Sequence, residues 1–232
     1  MKIVYFGTPE IASSQLEAII AAGYEVAAVV TVPDKPAGRG KKIQSSDVKL
    51  TALKYDLPVL QPVSLKSPEF IEELSSYNAD LFVVVAFRML PEVVWSMPPM
   101  GTFNLHASLL PQYRGAAPIN HAIINGEKET GLTTFLLDKE IDTGEIIMQE
   151  KVVIEDDETA GTLHDKLMVL GNKVVVETIK RIEEGKVQSQ SQDMIIERDN
   201  LQLKPAPKIF KEDCKIDWTK DAKSIYDFIR GL

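Results

Sequence analysis

The sequence is poor in the residues that build covalent or metal-bound frameworks. Among its 232 residues it has one cysteine, Cys214, and three histidines. A single cysteine excludes an internal disulfide, so a reducing compartment such as the cytoplasm is the simplest location. His106, His121, His164 and Cys214 show neither H-x-x-x-H nor C-x-x-C spacing, and we therefore expect no metal site.

Long apolar runs are also lacking. The longest, LFVVVAF at residues 81–87, is far shorter than the roughly 20 residues that a helix needs to span a bilayer. The opening MKIVYFG passes directly into a strand-like run and shows none of the organisation of a signal peptide. These two features predict no contact with a membrane.

An overall excess of positive charge is missing as well, since the formal net charge is −8 at pH 7. This value argues against generic nucleic-acid binding. The cations are unevenly distributed, however, and residues 35–54 carry six of them against the single carboxylate of Asp47. They lie in and beside PDKPAGRGKKIQSSDVK (33–49), whose prolines and glycines are typical of a loop. This segment is either a solvated loop or, as we expect, a mobile arm that reaches for phosphates.

Hydrophobic residues make up 44% of the chain and charged residues 26%, which is enough apolar material for a sizeable core. Through residue 108, strand-like apolar runs alternate with helical patterns. This order predicts an α/β fold, a Rossmann-like doubly wound sheet that is mostly parallel and covered by helices on both faces. The dinucleotide fingerprint G-x-G-x-x-G is absent after the first strand, where FGTPE has one glycine, so a nicotinamide-dependent dehydrogenase is not favoured.

The pattern changes after residue 127. We expect sheet-edge strands at 132–137 and 145–154, a long amphipathic helix at 160–184, and one more strand in KVQSQSQ (186–192). Residues 1–203 are predicted to form the catalytic domain. Residues 204–232 are predicted to form a linker and the start of a further, C-terminal domain, because the final helical pattern AKSIYDFIRGL has no C-terminal cap.

The segment TFNLHAS (102–108) carries the most informative pattern. In a strand, Phe103 and Leu105 point to one face, while Asn104 and His106 point to the other. The polar pair then lies at the carboxyl end of a strand, where open α/β sheets bind their ligands. An amide donor beside an imidazole is suited to stabilising an oxyanion and moving a proton.

The other polar candidates are weaker. We interpret His121, on a predicted helix, as a partly buried structural residue and His164 as a surface residue. Asp142, in the loop DKEIDTGEII, is either an ordinary turn residue or a carboxylate that orients an imidazole.

Together, FGTPEIA, PDKPAGRGKK, VVAF, NLHASLLPQYRGAAPINHAIINGE and DTGEI make the sequence resemble the folate-dependent formyltransferases. The resemblance implies the formyltransferase fold followed by a small C-terminal β-barrel domain. It implies a formyl donor, 10-formyltetrahydrofolate, and no metal. Within the family, the resemblance is strongest to members that formylate methionyl initiator tRNA, which implies tRNA and folate as partners. We expect a monomer in the cytoplasm.

The resemblance also implies roles for individual residues. It assigns catalysis to Asn104, His106 and Asp142, the wall of the folate pocket to Ser108, Leu109, Leu110 and Pro111, and contact with tRNA to Arg39, Lys41 and Lys42. One departure is Arg88, which stands where the family usually has a small residue.

Three alternatives remain open from the sequence. In the first, the acceptor is glycinamide ribonucleotide or an amino-sugar nucleotide. In the second, the formyl group goes to water. In the third, the chain is a non-catalytic tRNA-binding module. The basic arm argues against a small acceptor, and the Asn104, His106 and Asp142 set argues against a non-catalytic module.

Overall fold

The computed structural model of the chain describes residues 1–37 and 42–232. The first half contains β1 (Lys2–Gly7), α1 (Glu10–Ala21), β2 (Glu25–Val30), β3 (Lys35–Ala37), β4 (Lys42–Gln44), α2 (Asp47–Lys54), β5 (Val59–Leu60), α3 (Pro68–Ser76), β6 (Leu81–Val85), α4 (Glu92–Trp95) and β7 (Thr102–His106). The second half contains α5 (Pro118–Ile124), β8 (Glu129–Leu136), β9 (Ile146–Val153), α6 (Ala160–Glu183), α7 (Gln192–Asp199), a short 3₁₀ helix (Lys211–Cys214) and α8 (Ala222–Arg230).

A seven-stranded sheet in the order β5-β2-β1-β6-β7-β8-β9 forms the centre of the molecule. The five strands from β5 to β7 are parallel, whereas β8 is antiparallel to β7 and β9 is antiparallel to β8. The chain first runs outward from β1 to β5 and then returns to β6 beside β1. This reversal is a topological switch point, and the predicted doubly wound, mostly parallel fold is confirmed.

Helices cover both faces of this sheet, which explains why its central strands are continuously apolar. Successive side chains of β1 point to opposite faces. Ile3 packs in a cluster with Leu16 of α1 and Leu167 of α6, while Val4 packs in a second cluster with Leu74 of α3. The core therefore consists of two layers, one on each face of the sheet.

The described part of the basic segment, here called the basic hairpin, contains β3 and β4, which pair antiparallel with Lys35 opposite Gln44. Its base is fastened by Lys49, whose ammonium group lies 2.6 Å from Oδ2 of Asp34 and 2.8 Å from Oε1 of Gln61. This pairing does not test the expected phosphate-binding role of the arm, which stays a prediction. The prolines and glycines of the segment did not reveal this short pairing.

The strand expected at 186–192 does not form. Gln190 makes only a single antiparallel bridge with Ile146 before α7 begins at Gln192. The alternation in that segment is between glutamine and serine, so it provides no apolar face that a strand would bury.

Residues 204–207 pack against the segment that follows β7. Their backbone joins it through Tyr113 N to Lys204 O at 2.7 Å and Ala206 N to Arg114 O at 2.8 Å. Further along, Asn120 of α5 donates to the carbonyl of Gly231 at 2.7 Å, just after α8. The boundary between residues 203 and 204 stays a prediction.

Candidate active site

A cavity of about 620 Å³ opens at the carboxyl ends of β6 and β7. Residues that follow β6, the end of β7, the first turn of α5 and the loop between β8 and β9 form its wall, and Ile11 of α1 and His164 of α6 close it from another side. This is the end of a parallel sheet where ligands bind, and the volume suits a small-molecule site. His164 is partly exposed, as expected of a surface residue, and it also borders this wall. The helical pattern around it could not show that the first turns of α6 border a cavity.

Asn104 projects from β7 into this cavity, because its neighbours Phe103 and Leu105 belong to the core on the other face of the sheet. Its Oδ1 atom is buried and accepts no hydrogen bond from any residue that the structure describes. A buried polar atom without a partner costs about 1–3 kcal/mol. A ligand that donates a hydrogen bond to this side chain would remove that cost.

His106 is held in one orientation by its backbone surroundings. It is only 7% exposed, and its Nε2 lies 2.9 Å from the carbonyl oxygen of Tyr113. A carbonyl can only accept, so Nε2 must carry the hydrogen. Nδ1 is then the nitrogen that is able to gain or lose a proton, and it lies 3.8 Å from Oδ2 of Asp142.

Asp142 reaches the site from the loop between β8 and β9, where its backbone has a φ of 55°. Its Oδ2 accepts a hydrogen bond of 2.9 Å from the backbone nitrogen of Gly115. Asn104, His106 and Asp142 all line the same cavity although 38 positions separate the first from the last. The structure thus brings together the three side chains to which the sequence assigned catalysis.

The segment Tyr113-Arg114-Gly115 touches both His106 and Asp142, which sequence reasoning did not foresee. Gly115 has a φ of 123°, and a β-carbon at this position would lie 2.4 Å from the carbonyl oxygen of Ala206. A glycine is therefore required where the chain passes between Asp142 and residues 204–207. The RG dipeptide within LLPQYRGAAP was the signal in the sequence for this close approach.

The side chain of Tyr113 is held in place by hydrogen bonds of its phenol hydroxyl group. The hydroxyl donates to Oε1 of Glu127 at 2.5 Å and accepts from Nδ2 of Asn125 at 3.2 Å. Burial raises the pKa of the Tyr113 phenol, and the hydrogen bond to Glu127 raises it further. The phenol remains neutral, and its anchoring holds the Tyr113 carbonyl in place for His106.

The loop that follows β7 carries the four residues expected to line the folate pocket. Within the described chain, none of Ser108, Leu109, Leu110 and Pro111 borders the cavity. Instead, Oγ1 of Thr133 donates to the Ser108 carbonyl at 2.6 Å and accepts from the Leu110 nitrogen at 3.1 Å. These bonds hold the loop beside β8, and the assignment of the four residues to the folate wall stays a prediction.

Arg88 does line the cavity. Its Nη1 donates to the carbonyl of Val63 at 2.9 Å, Nη2 donates to the carbonyl of Pro62, and Nε is buried with no acceptor among the described residues. Burial lowers the pKa of this guanidinium. The departure from the family pattern thus fastens the loop after β5 to the cavity wall.

Two of the three residues expected to contact tRNA, Arg39 and Lys41, lie outside the described residues, and Lys42 is described only as the first backbone position of β4. Across residues 1–37 and 42–232, no group of three His, Cys, Asp or Glu side chains is placed to hold a metal ion. In the same part of the chain, no helix is both long enough and apolar enough to cross a membrane.

Comparison with known sequences gives one consistent result. The family described as Formyl transferase matches residues 1–179. A methionyl-tRNA formyltransferase from Bacteroides fragilis is 59% identical over 232 residues, which is 100% of this chain and 71% of that protein. A protein of the same name from Flavobacterium johnsoniae is 55% identical over 232 residues, covering 100% of this chain and 72% of its own length.

Solved structures show the same fold at low identity. A sugar 3N-formyl transferase, crystallised with dTDP and 5-N-formyl-THF, superposes with a TM-score of 0.72 at 22% identity over 100% of this chain and 78% of its own. The phosphoribosylglycinamide formyltransferase of Bacillus halodurans gives 0.68 at 24% identity over 78% of this chain and 95% of its own. The fold is common to all of them, and the match over residues 1–179 decides the family. The chain belongs to the formyl transferase family.

Proposed function

We propose that the protein transfers the formyl group of 10-formyltetrahydrofolate to the α-amine of methionyl initiator tRNA. The observation that carries this proposal is the meeting of Asn104, His106 and Asp142 around one cavity, with the Oδ1 atom of Asn104 left without a partner. The acceptor is suggested by the relatives that bear the name methionyl-tRNA formyltransferase at 55–59% identity over the whole chain.

The residues that line the cavity suit a folate donor in their chemistry. One part of its wall is apolar, with Phe87 and Leu137 packed on the α3 side of the sheet and Leu90 buried beside them. Polar groups of Arg88 and Asp138 border the same part. A flat, partly polar ring such as a pterin requires this combination of apolar walls and a few polar groups. We therefore infer that residues 87–90 and the loop after β8 hold the donor, while a contribution of Ser108, Leu109, Leu110 and Pro111 to the folate wall stays a prediction.

In this reaction the amine nitrogen bonds to the formyl carbon, negative charge develops on the formyl oxygen, and the bond from that carbon to N10 then breaks. Asn104 is suited to contact both the formyl oxygen and the attacking amine. Its amide N–H groups stabilise the oxygen, while Oδ1 accepts a hydrogen bond from the N–H of the amine. Protonated His106 donates from Nδ1 toward the same oxygen. Asp142 balances the imidazolium charge and, through a water molecule, receives the proton that leaves the amine and passes to N10.

The acceptor approaches, in this proposal, from the side of the basic hairpin. The backbone nitrogen of Val48, in α2 after the hairpin, bonds to the carbonyl of Thr8 at 3.4 Å, and Thr8 lies just before α1. Ile11, at the start of α1, is part of the cavity wall. A tRNA end held by Arg39, Lys41 and Lys42 would thus lie on the α1 side of the reacting atoms, opposite the donor.

We further propose that the enzyme acts as a monomer in the cytoplasm. The single cysteine supports a reducing compartment, and Cys214 is exposed. Size-exclusion chromatography coupled to light scattering measures the mass of the particle, and a dimer would contradict the first part of this proposal.

The function is tested by a formyl-transfer assay that follows tetrahydrofolate release from 10-formyltetrahydrofolate. Parallel reactions contain methionyl initiator tRNA, glycinamide ribonucleotide, an amino-sugar nucleotide or no acceptor. We expect release with the charged tRNA alone. Release with another acceptor would move the protein to a different activity of the family, and release without any acceptor would indicate a hydrolase.

A further inference from the structure

Gln192, the first residue of α7, is buried, and its side chain makes hydrogen bonds that the proposed reaction does not itself require. Only 1% of its surface is exposed. Its Nε2 donates to the carbonyls of Asp142 at 2.9 Å and Gly144 at 2.8 Å. Every hydrogen of its side-chain amide is therefore used on the backbone of the loop that carries Asp142.

The oxygen of the same amide is also hydrogen-bonded. Oε1 of Gln192 accepts from Nη2 of Arg114 at 2.8 Å and from Nε at 3.1 Å. Arg114 stands between Tyr113, whose carbonyl binds His106, and Gly115, whose nitrogen binds the Asp142 carboxylate. One glutamine thus ties the Asp142 loop to the segment that holds the histidine.

The loop alone does not fix Asp142 in place. Its φ of 55° is a conformation that residues other than glycine rarely adopt and that surrounding contacts must maintain. The two hydrogen bonds from Gln192 bracket this residue, one on its own carbonyl and one two positions later. Because the Asp142 carboxylate reaches Nδ1 of His106 only at 3.8 Å, a small shift of the loop would separate the pair further.

We propose that Gln192 is a positioning residue of the formyl-transfer reaction, which holds the Asp142 carboxylate at its working distance from His106. The proposal rests on the function proposed above. It places in α7, 50 positions beyond Asp142, a determinant of turnover that touches neither substrate.

Two variants separate this role from simple packing. Gln192→Leu keeps the volume and removes all four hydrogen bonds. Gln192→Glu keeps the shape and the contact with Arg114 but presents oxygen to the carbonyls of Asp142 and Gly144, so that only the hold on the loop is lost. Gln188→Leu changes an exposed glutamine of the preceding segment and serves as the control.

The test is a double-mutant cycle in the full chain, with kcat and KM measured for each variant alone and combined with Asp142→Asn. We expect Gln192→Leu and Gln192→Glu to lower kcat roughly 10- to 100-fold with little change in KM for the folate, as residues that orient catalytic groups commonly do. In the Asp142→Asn background the same changes should lower kcat less than about threefold, because the two residues act through one interaction.

Equal losses in both backgrounds would show that Gln192 is only structural, and an unchanged kcat in both single variants would show that it does not matter. If Gln192→Leu fails to fold, Gln192→Glu decides the question, because its ion pair with Arg114 keeps α7 in place. The unsubstituted chain is assayed first with each acceptor, so a failure of the proposed function is visible before any variant is compared.

Discussion

Asp142 and His106 face each other at a distance of 3.8 Å between Oδ2 and Nδ1, which is longer than a hydrogen bond. The same carboxylate oxygen is already engaged at 2.9 Å with the backbone nitrogen of Gly115. The pair is therefore held close without being locked, and protonation of the imidazole would draw it together. The reaction proposed for the site uses this imidazole in its protonated form, with the Asp142 carboxylate beside it.

Replacing His106 is expected to abolish most of the activity and to spare the fold. His106→Ala removes a donor to the developing oxyanion, so we expect kcat to fall by about 10²- to 10³-fold. His121→Ala is the matched control, because His121 bonds to the carbonyl of Pro207 at 2.9 Å and lies outside the cavity wall. Formyl-transfer kinetics and melting temperatures would be measured for both, and near-normal turnover of His106→Ala would refute its catalytic role.

The basic segment is expected to bind tRNA through its positive charge. The double substitution Lys41→Ala, Lys42→Ala should raise KM for methionyl initiator tRNA and reduce the slope of log affinity against log salt by roughly one to two. The control replaces two exposed lysines of α6, Lys173 and Lys180, with alanine. An unchanged salt slope in the first variant would show that the segment is an ordinary solvated loop.

Gly144 is expected to be irreplaceable for steric reasons. A β-carbon there would lie 1.6 Å from the carbonyl oxygen of Leu136, so Gly144→Ala must displace the loop that carries Asp142. We expect a loss of about 1–3 kcal/mol in the free energy of unfolding, together with lower kcat. Gly161→Ala, in the first turn of α6, meets only Thr159 Oγ1 at 3.8 Å and should be tolerated. Urea unfolding measures both, and equal stability of the two variants would contradict the steric argument.

The carboxyl group of Asp227, in α8, is expected to make the free energy of unfolding depend on pH. Burial alone would raise the pKa of Asp227, but its hydrogen bonds with Lys223 and Arg230 prevail and hold the pKa below its usual value. A carboxyl whose pKa falls on folding stabilises the fold above its unfolded pKa of about 3.9, and this contribution disappears as the pH drops through the lower folded value.

We therefore expect Asp227→Asn to lower the free energy of unfolding by about 1–3 kcal/mol at pH 6, with a smaller difference from the parent below about pH 4. The exposed carboxyl of Asp157 provides the control variant, Asp157→Asn. Urea midpoints measured from pH 3 to pH 7 test the prediction. A difference that is independent of pH would mean that the charge of Asp227 does not contribute.

Local pattern was enough to predict much of this protein. The apolar runs that became β1, β2, β6 and β7 and the period of α6 follow from the alternation and spacing of apolar residues, which depend on neighbours a few positions away. The same reasoning put Asn104 and His106 on one face of a strand end, and the structure finds both in the cavity wall.

Contacts between segments that lie far apart in the sequence could not be predicted from local pattern. Where a loop lies after a strand depends on its partners, and Thr133 holds the loop that carries Ser108 and Leu110 beside β8. The same holds for His164, whose neighbours across the cavity come from other elements. Sequence separation gives no measure of such distances.

The sequence by itself determined β1, β2, β6, β7 and α6, the mostly parallel sheet and the chemical character of the strand that carries Asn104 and His106, because each of these follows from short-range periodicity. Only the tertiary structure decided that Gln192 holds the Asp142 loop, that Tyr113 fixes the proton on Nε2 of His106, and that residues 87–90 form the cavity wall. The physical reason is that hydrogen bonds and cavities are made by atoms that are close in space, and the fold brings these atoms together from positions far apart along the chain.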